Sequence, residues 1–319
     1  MSLERNKPVT VIAVCYNHAR FLIECLESIR MQTFQDFQLI ITDDFSNDES
    51  PSLIEGWITQ NRPDAIFIRH EKNVGLCRTL NEALGCASGE FISMTATDDV
   101  WENDKIEKQL AVMREQSDQV ALIYSDARQM DEAGNILPEK FIEAHKGDFS
   151  PPSGNVFSAL VDGNFVPAMS TLIRRKAIEA VGNYDERLSY EDYDMWLRLS
   201  QKYDFVFFPG VFARYRIVST SIVRTLFNEP TAHHSHTLFL INTKLLLTEL
   251  LNDRQRNACS EKQWEAAYTL YLLGDSKACA CLWKAFYSTK KSRVFLLAVV
   301  SCFGLSRQRA KKLMSYVKK

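Results

Sequence analysis

Over the first 125 residues, short β-rich apolar runs alternate with stretches whose apolar side chains recur at helical spacing. That alternation predicts a mainly parallel sheet flanked by helices. Val9 to Tyr16 (VTVIAVCY) predicts the first strand, and Phe21, Leu22, Cys25, Leu26 and Ile29 then share one helical face. Phe37 to Thr42 (FQLIIT) predicts a second strand, Glu49 to Gln60 a helix, and Ala65 to Arg69 (AIFIR) a third strand. Leu76, Leu80, Ala83, Leu84 and Ala87 mark another helix face, and Glu90 to Met94 a fourth strand. A helix carrying Ile106, Leu110 and Met113 follows Trp101, and Val120 to Tyr124 closes the series as a strand.

Between Ser125 and Phe165 the pattern loosens, with turns marked by Gly134, Pro138, Gly147, Pro151, Pro152 and Gly154. The stretch reads as an excursion over an active site. Regular signals resume with a strand at Met169 to Ile173, helices at Lys176 to Val181 and Tyr193 to Leu199, and two short strands at Phe205 to Phe208 and Val211 to Tyr215. From about Glu229 only helical periodicity remains, through Leu238 to Leu251, Trp264 to Leu273 and Ala278 to Tyr287. The expected organisation is an α/β catalytic domain over 1–226 and an all-helical C-terminal region over 227–319. The segment Glu261 to Tyr287 has the look of one tetratricopeptide-like helix pair, without a repeat.

Composition narrows the class. A chain of 319 residues, 46% hydrophobic and 24% charged, is neither disordered nor fibrous. Its net charge of −2 predicts no affinity for nucleic acid. The distribution is uneven: nine basic residues and no acidic one lie between Lys290 and Lys319, leaving residues 1–289 at −11. Eight scattered cysteines without a C-x-x-C pair suggest small buried thiols in a reducing compartment. No secretory signal pattern and no run of about 18 apolar residues appear, so a cytoplasmic protein is expected.

Three acidic constellations could carry chemistry. Asp43-Asp44, then Ser46-Asn47-Asp48, end the second predicted strand, and Thr97-Asp98-Asp99 follows the fourth. In an open parallel sheet ligands bind beyond the carboxyl ends of strands, and divalent cations take one or two carboxylates plus substrate phosphates. The plainer alternatives are helix capping by Ser46, Asn47 or Asp48 and a solvated turn at Asp98-Asp99. Glu191-Asp192-Tyr193-Asp194 opens a helix, where acidic residues are favoured by the dipole whatever the function. His233, His234 and His236 are spaced i, i+1, i+3, which does not put all three on one helix face. Neither a G-x-x-x-x-G-K-[ST] loop nor a G-x-G-x-x-G turn is present.

Over roughly residues 7 to 225 these motifs resemble the inverting family 2 glycosyltransferases of the GT-A fold, a Rossmann-like architecture. VTVIAVCYN resembles the family's opening strand, Asp43-Asp44-Phe45-Ser46 its D-D-x-S turn, and Asn73-Val74-Gly75 with Asn81 its third motif. Ala87-Ser88-Gly89-Glu90-Phe91-Ile92 is similar to the lead into the metal strand, and Thr97-Asp98-Asp99 to a D-x-D-type site. The resemblance implies nucleotide binding by Val14, Tyr16, Asp44, Arg78 and Asp98, with Asp44 on the base and Asp98 near the ribose. It implies Asp99 as ligand of Mn²⁺ or Mg²⁺ and Asp192, of the E-D pair, as catalytic base. Three departures stand out: Ala96 where relatives often have an acid, Leu80 where they often have arginine before Asn81, and Val218 where the segment Tyr215-Arg216-Ile217-Val218 usually ends in histidine.

The implied reaction moves a sugar, with inversion, from a nucleotide-diphospho-sugar donor, a UDP-sugar foremost, to a glycan or lipid-linked acceptor, the loose region from Ser125 to Phe165 with the Asn164 to Ser170 stretch supplying acceptor contacts. Residues 290–319 suit either peripheral contact with the inner face of a membrane or a terminal helix packing Phe295, Leu296 and Val299 on the protein. The competing classes are a catalytically silent binding or assembly module, which would have lost the carboxylates, and a nucleotidyltransferase, which expects a Gly-rich loop where Asn17-His18-Ala19-Arg20 stands.

Overall fold

The computed structural model describes residues 7–302 except 190 and 219–230. By their internal contacts these residues divide into two units, 7–186 with 191–218, and 187–189 with 231–302. The boundary expected near residue 226 lies outside the described residues.

The first unit is built on one mixed sheet. Strands β1 (Val9–Cys15), β2 (Phe37–Asp43), β3 (Ile66–Arg69) and β4 (Phe91–Ala96) are parallel, in the order β3-β2-β1-β4. Helices α1 (Ala19–Arg30), α2 (Ser50–Asn61) and α3 (Leu76–Cys86) connect them. All seven residues of β1 are buried, as expected of a strand flanked on both edges and covered on both faces. The face of α1 read from the sequence is the one buried: Phe21, Leu22, Cys25, Leu26 and Ile29. Gly89 explains the motif before β4, since a Cβ there would lie 2.5 Å from the Thr10 nitrogen and 2.6 Å from the Val9 carbonyl carbon.

Beyond β4 the structure departs from the sequence reading. A two-residue strand, β5 (Val100–Trp101), precedes α4 (Lys105–Arg114). The next strand, β6, runs from Val120 to Met130 and turns through Asp131 into β7 (Ile136–Lys140), so the expected loose excursion begins as a β-hairpin. It continues through α5 (Phe141–Lys146) and α6 (Phe157–Val161). The strand expected at Met169 to Ile173 starts as a 3₁₀ turn, Ala168–Ser170, and is strand only as β8 (Leu172–Arg174), antiparallel to both β4 and β6. After α7 (Arg175–Val181) and α8 (Glu191–Ser200), the two short strands expected around residues 205–215 are one, β9 (Asp204–Arg216). β9 runs parallel to β6 and pairs with β5 on its other edge.

The second unit is helical: α9 (Ala232–Leu246), α10 (Asp253–Leu273), α11 (Ala278–Thr289) and α12 (Ser292–Cys302). Phe239, Trp264, Ala267, Leu270, Leu282, Ala285, Leu297 and Ala298 form its core. The described part of the basic tail is thus packed inward, through Val294, Leu297, Ala298 and Val300 rather than Phe295, which is exposed. Lys291 and Arg293 pair with Glu261 on α10. Arg307 through Lys319 lie outside the described residues. Among the described residues no helix is long and apolar enough to cross a membrane. Five cysteines are buried as expected, whereas Cys86 and Cys302 are exposed and Cys279 is half-buried.

Candidate active site

The carboxyl ends of β1, β2 and β4 place the first two acidic motifs side by side, because Cys15 pairs with Asp43 and Val14 with both Thr42 and Ala96. Val14 is buried in the sheet, and Tyr16, the first residue past β1, is 40% exposed. The two aspartates after β2 have different work. Asp43 closes a local turn by accepting from the Ser46 N–H at 3.0 Å and the Ser46 hydroxyl at 2.6 Å. Asp44 reaches the third motif: Oδ1 accepts from Val74 N at 2.8 Å and Oδ2 from Gly75 N at 2.9 Å. It thereby holds the backbone just before α3. Asp48 accepts from Ala19 N and Ser50 N, the first residues of α1 and α2, while the N-cap position of α2 is Glu49 rather than Ser46, Asn47 or Asp48 and carries no side-chain cap.

His70, at the end of β3, joins this group without a sequence motif to announce it. Nδ1 lies 2.8 Å from Asp44 Oδ1 and Nε2 lies 2.9 Å from Glu82 Oε2. Glu82 also accepts from Arg78 Nε at 3.0 Å, so Arg78 enters the Asp44 neighbourhood through two intermediaries and remains half exposed itself.

At the end of β4, Asp98 and Asp99 are held by the end of β9. The Arg216 N–H donates to Asp99 Oδ1 at 2.9 Å, and Arg216 Nε donates to the Asp98 carbonyl at 2.8 Å. Burial, then the charge of Asp98, pushes the Asp99 carboxyl well above the ordinary carboxylate range. His18 Nε2 stands 3.7 Å from Asp98 Oδ2, and its Nδ1 is 3.0 Å from the Thr97 hydroxyl. In the sequence His18 is visible only as part of a loop that lacks glycines.

Asn81 gives the third motif a structural reason: it exchanges hydrogen bonds of 3.0 and 2.9 Å with the backbone of Tyr184, ahead of α8. α8 opens with Glu191 and Asp192, both half-buried. Asp192 Oδ1 accepts from Tyr193 N at 2.6 Å and Oδ2 from Asn164 Nδ2 at 3.3 Å. Burial raises the Asp192 carboxyl in spite of those hydrogen bonds, and burial with the charge of Asp192 pushes Glu191 to about 8. The Tyr215 phenol, packed edge-on against Phe141, is raised by burial and then by the charges of Asp99, Asp98 and Asp192. All three carboxylates therefore lie within electrostatic range of one side chain at the end of β9.

Among the described residues, no three His, Cys, Asp or Glu side chains come together as a self-sufficient metal cage. Two adjacent carboxylates at the end of β4, Asp98 and Asp99, nevertheless fit a hard divalent ion that completes its shell with phosphate oxygens and water. His233, His234 and His236 fall in α9 of the second unit, with His234 buried and His233 exposed.

The family described as Glycosyl transferase family 2 matches residues 10–182. An uncharacterized glycosyltransferase of Methanocaldococcus jannaschii, MJ1057, is 32% identical over 218 residues, covering 67% of this chain and 72% of its own. Among solved structures, S. aureus TarS 1–349 in complex with UDP-GlcNAc superposes with a TM-score of 0.63 at 16% identity, covering 90% of this chain and 82% of its own. The mannosyltransferase PcManGT of Pyrobaculum calidifontis, in complex with GDP-Man and Mn²⁺, gives 0.58 at 16% identity, covering 97% and 83%. These two establish the fold, a GT-A-type α/β sheet with a helical region after it.

Proposed function

The chain belongs to glycosyl transferase family 2, and from that premise we propose that it moves a sugar from a nucleotide-diphospho-sugar to a hydroxyl of a glycan or lipid-linked acceptor, with inversion. A UDP-sugar is the first candidate donor. The observation that carries this reading is the side-by-side placement of the acidic turns after β2 and β4, with Asp98 and Asp99 pinned by Arg216; the charge of Asp192 acts on the same Tyr215 phenol as theirs, as expected where a diphosphate site and a base flank one sugar ring. Val14 near the end of β1, Tyr16 just beyond it, Asp44 beyond β2 and Arg78 on α3 border the nucleotide, and Asp98 faces its ribose. Asp99 is the ligand for Mn²⁺ or Mg²⁺, which when bound supplies positive charge against the leaving diphosphate.

Asp192 takes the proton of the acceptor hydroxyl as its oxygen attacks the anomeric carbon from the face opposite the diphosphate. A carboxylate whose proton affinity is raised by burial is the better acceptor near neutral pH. The transition state has oxocarbenium character, as in glycoside hydrolysis. Asn164 orients the base and lies where the acceptor enters. The named ligands of the TarS and PcManGT structures support a nucleotide sugar and a divalent ion. Peripheral contact with an anionic membrane, presenting a lipid-linked acceptor, falls to the six basic residues beyond Cys302.

A thermal-shift screen of nucleoside diphosphates and their sugars, with and without Mn²⁺ or Mg²⁺, tests the reading. Stabilisation by one nucleotide series that needs the ion is expected. No shift with any nucleotide at millimolar concentration refutes it.

A further inference from the structure

A chain of alternating charge runs from the proposed base-binding aspartate to the surface: Asp44, His70, Glu82, Arg78. Both ring nitrogens of His70 face carboxylate oxygens, at 2.8 and 2.9 Å, and its backbone N–H is fixed on the Asp43 carbonyl at 3.0 Å. A neutral imidazole has one N–H and one lone pair, so only the imidazolium satisfies both contacts. The side chain is 9% exposed, which leaves little room for water to substitute.

Asp44 takes three donors, from His70, Val74 and Gly75, on the four lone-pair positions of its carboxylate. One position, on Oδ2, is left for a ligand N–H. The direction of that lone pair depends on the other three bonds, and the His70 bond is the charge-assisted one.

We propose that His70, as the imidazolium, is a positioning residue that aims Asp44 at the nucleotide and makes nucleotide affinity depend on pH through the neutral range. The inference rests on the assignment of Asp44 to the nucleotide. The charged groups facing His70 are Asp44 beyond β2 and Glu82 on α3, the latter shared with Arg78; Arg69, next to it in β3, is engaged instead with Glu55 on α2. Burial works to lower the His70 pKa, and the two carboxylates outweigh it, so it lies above the ordinary 6.5. Below that raised value the proton stays and Asp44 is held. As pH rises through it, one nitrogen becomes a lone pair set against a carboxylate, and affinity falls.

The experiment is calorimetry on the full chain with UDP and GDP, each with Mn²⁺, from pH 6 to 9, for the wild type, His70→Gln and Asp44→Asn. The wild type is expected to lose about tenfold in affinity across the rise, consistent with loss of one charge-assisted bond. His70→Gln is expected to start about tenfold weaker at pH 6 and to show no such slope, with donor KM moved and kcat nearly unchanged. If Asp44→Asn weakens binding while His70→Gln keeps the wild-type affinity and slope, the inference fails and the Asp44 assignment stands. If Asp44→Asn binds as the wild type does, the assignment fails and the inference with it. Imidazole NMR of the wild type needs no variant: a His70 ring already neutral at pH 6 overturns the proposal.

Discussion

Replacing Asp192 by asparagine separates base chemistry from architecture. Asp192 Oδ1 accepts from Tyr193 N at 2.6 Å and Oδ2 from Asn164 Nδ2 at 3.3 Å. Asn164 cannot turn its amide to suit the new side chain, because its Oδ1 already accepts from Val166 N at 3.1 Å. In Asp192→Asn the oxygen therefore stays on Tyr193, and the new NH₂ meets the NH₂ of Asn164. The loss is one long hydrogen bond, about 1 kcal/mol. The same change removes the charge that helps raise Glu191, which offsets part of it. Net stability should move by no more than about 1 kcal/mol, within reach of a urea titration. The rate effect is far larger, since loss of a positioned general base costs about 10²- to 10⁴-fold, or roughly 3 to 5 kcal/mol in the barrier. Donor affinity by calorimetry should hold while turnover, followed as released nucleoside diphosphate, collapses. Turnover within about twofold of the wild type would refute the assignment. In the wild type the rate should fall as pH drops through the raised Asp192 value, Glu191 and Asp192 titrating as a pair.

Asp99→Ala should abolish the gain in nucleotide affinity that Mn²⁺ confers; calorimetry showing the same gain in the variant would remove Asp99 from the ion. Gly89→Ala drives a Cβ to 2.5 Å from the backbone of β1 and should cost about 3 kcal/mol or more; a urea midpoint near that of the wild type would contradict the contact. Glu191, raised from 4.5 to about 8, contributes stability that is full below its unfolded value and lost as pH rises through about 8. Glu191→Gln should flatten the stability profile between about pH 5 and 8, and an unchanged slope would mean the carboxyl is ionised throughout.

β1, β2 and β4 were legible because each is covered on both faces and so reads as an apolar run; β3, half-buried at the sheet edge, was legible from its short apolar run alone. β9 was not, since Pro209-Gly210 interrupts its run and the register against β6 slips between Tyr124 and Asp126; the sequence therefore reads as two strands where pairing makes one. β5, two residues long, exists only because β9 lies beside it, a tertiary fact with no local pattern. The acidic residues of the site were visible from their place at strand and helix ends. Their partnerships with His70 and Asn164 were not, because these cross 26 and 28 residues and a hydrogen bond leaves no periodicity; Asn164 and Tyr215 stood in segments the sequence singled out for other reasons. Asn81 stood in a recognised motif, yet its purpose, pinning the backbone before α8, needed the fold.

The end of β9 ties these strands of reasoning together. Arg216 is 2% exposed, and each of its guanidinium nitrogens makes a hydrogen bond: Nε with the Asp98 carbonyl, Nη1 with the Asp131 carbonyl, Nη2 with Glu24 at 2.5 Å. A buried arginine beside a buried and a half-buried aspartate would ordinarily pair with them. Here it grips the Asp98 backbone and sends its charge to Glu24, and only its main-chain N–H touches Asp99. Among the described residues, the one basic side chain within 4 Å of the Asp98 carboxylate is His18, at 3.7 Å. The chain thus fixes the position of the acidic pair largely through backbone contacts, with the charge of Arg216 offsetting only part of the burial and mutual repulsion that raise Asp99, an arrangement that favours a cation and a diphosphate arriving together. An Arg216→Gln change keeps a donor but loses the planar fork, so it should displace Asp98 and Tyr215 together rather than either alone.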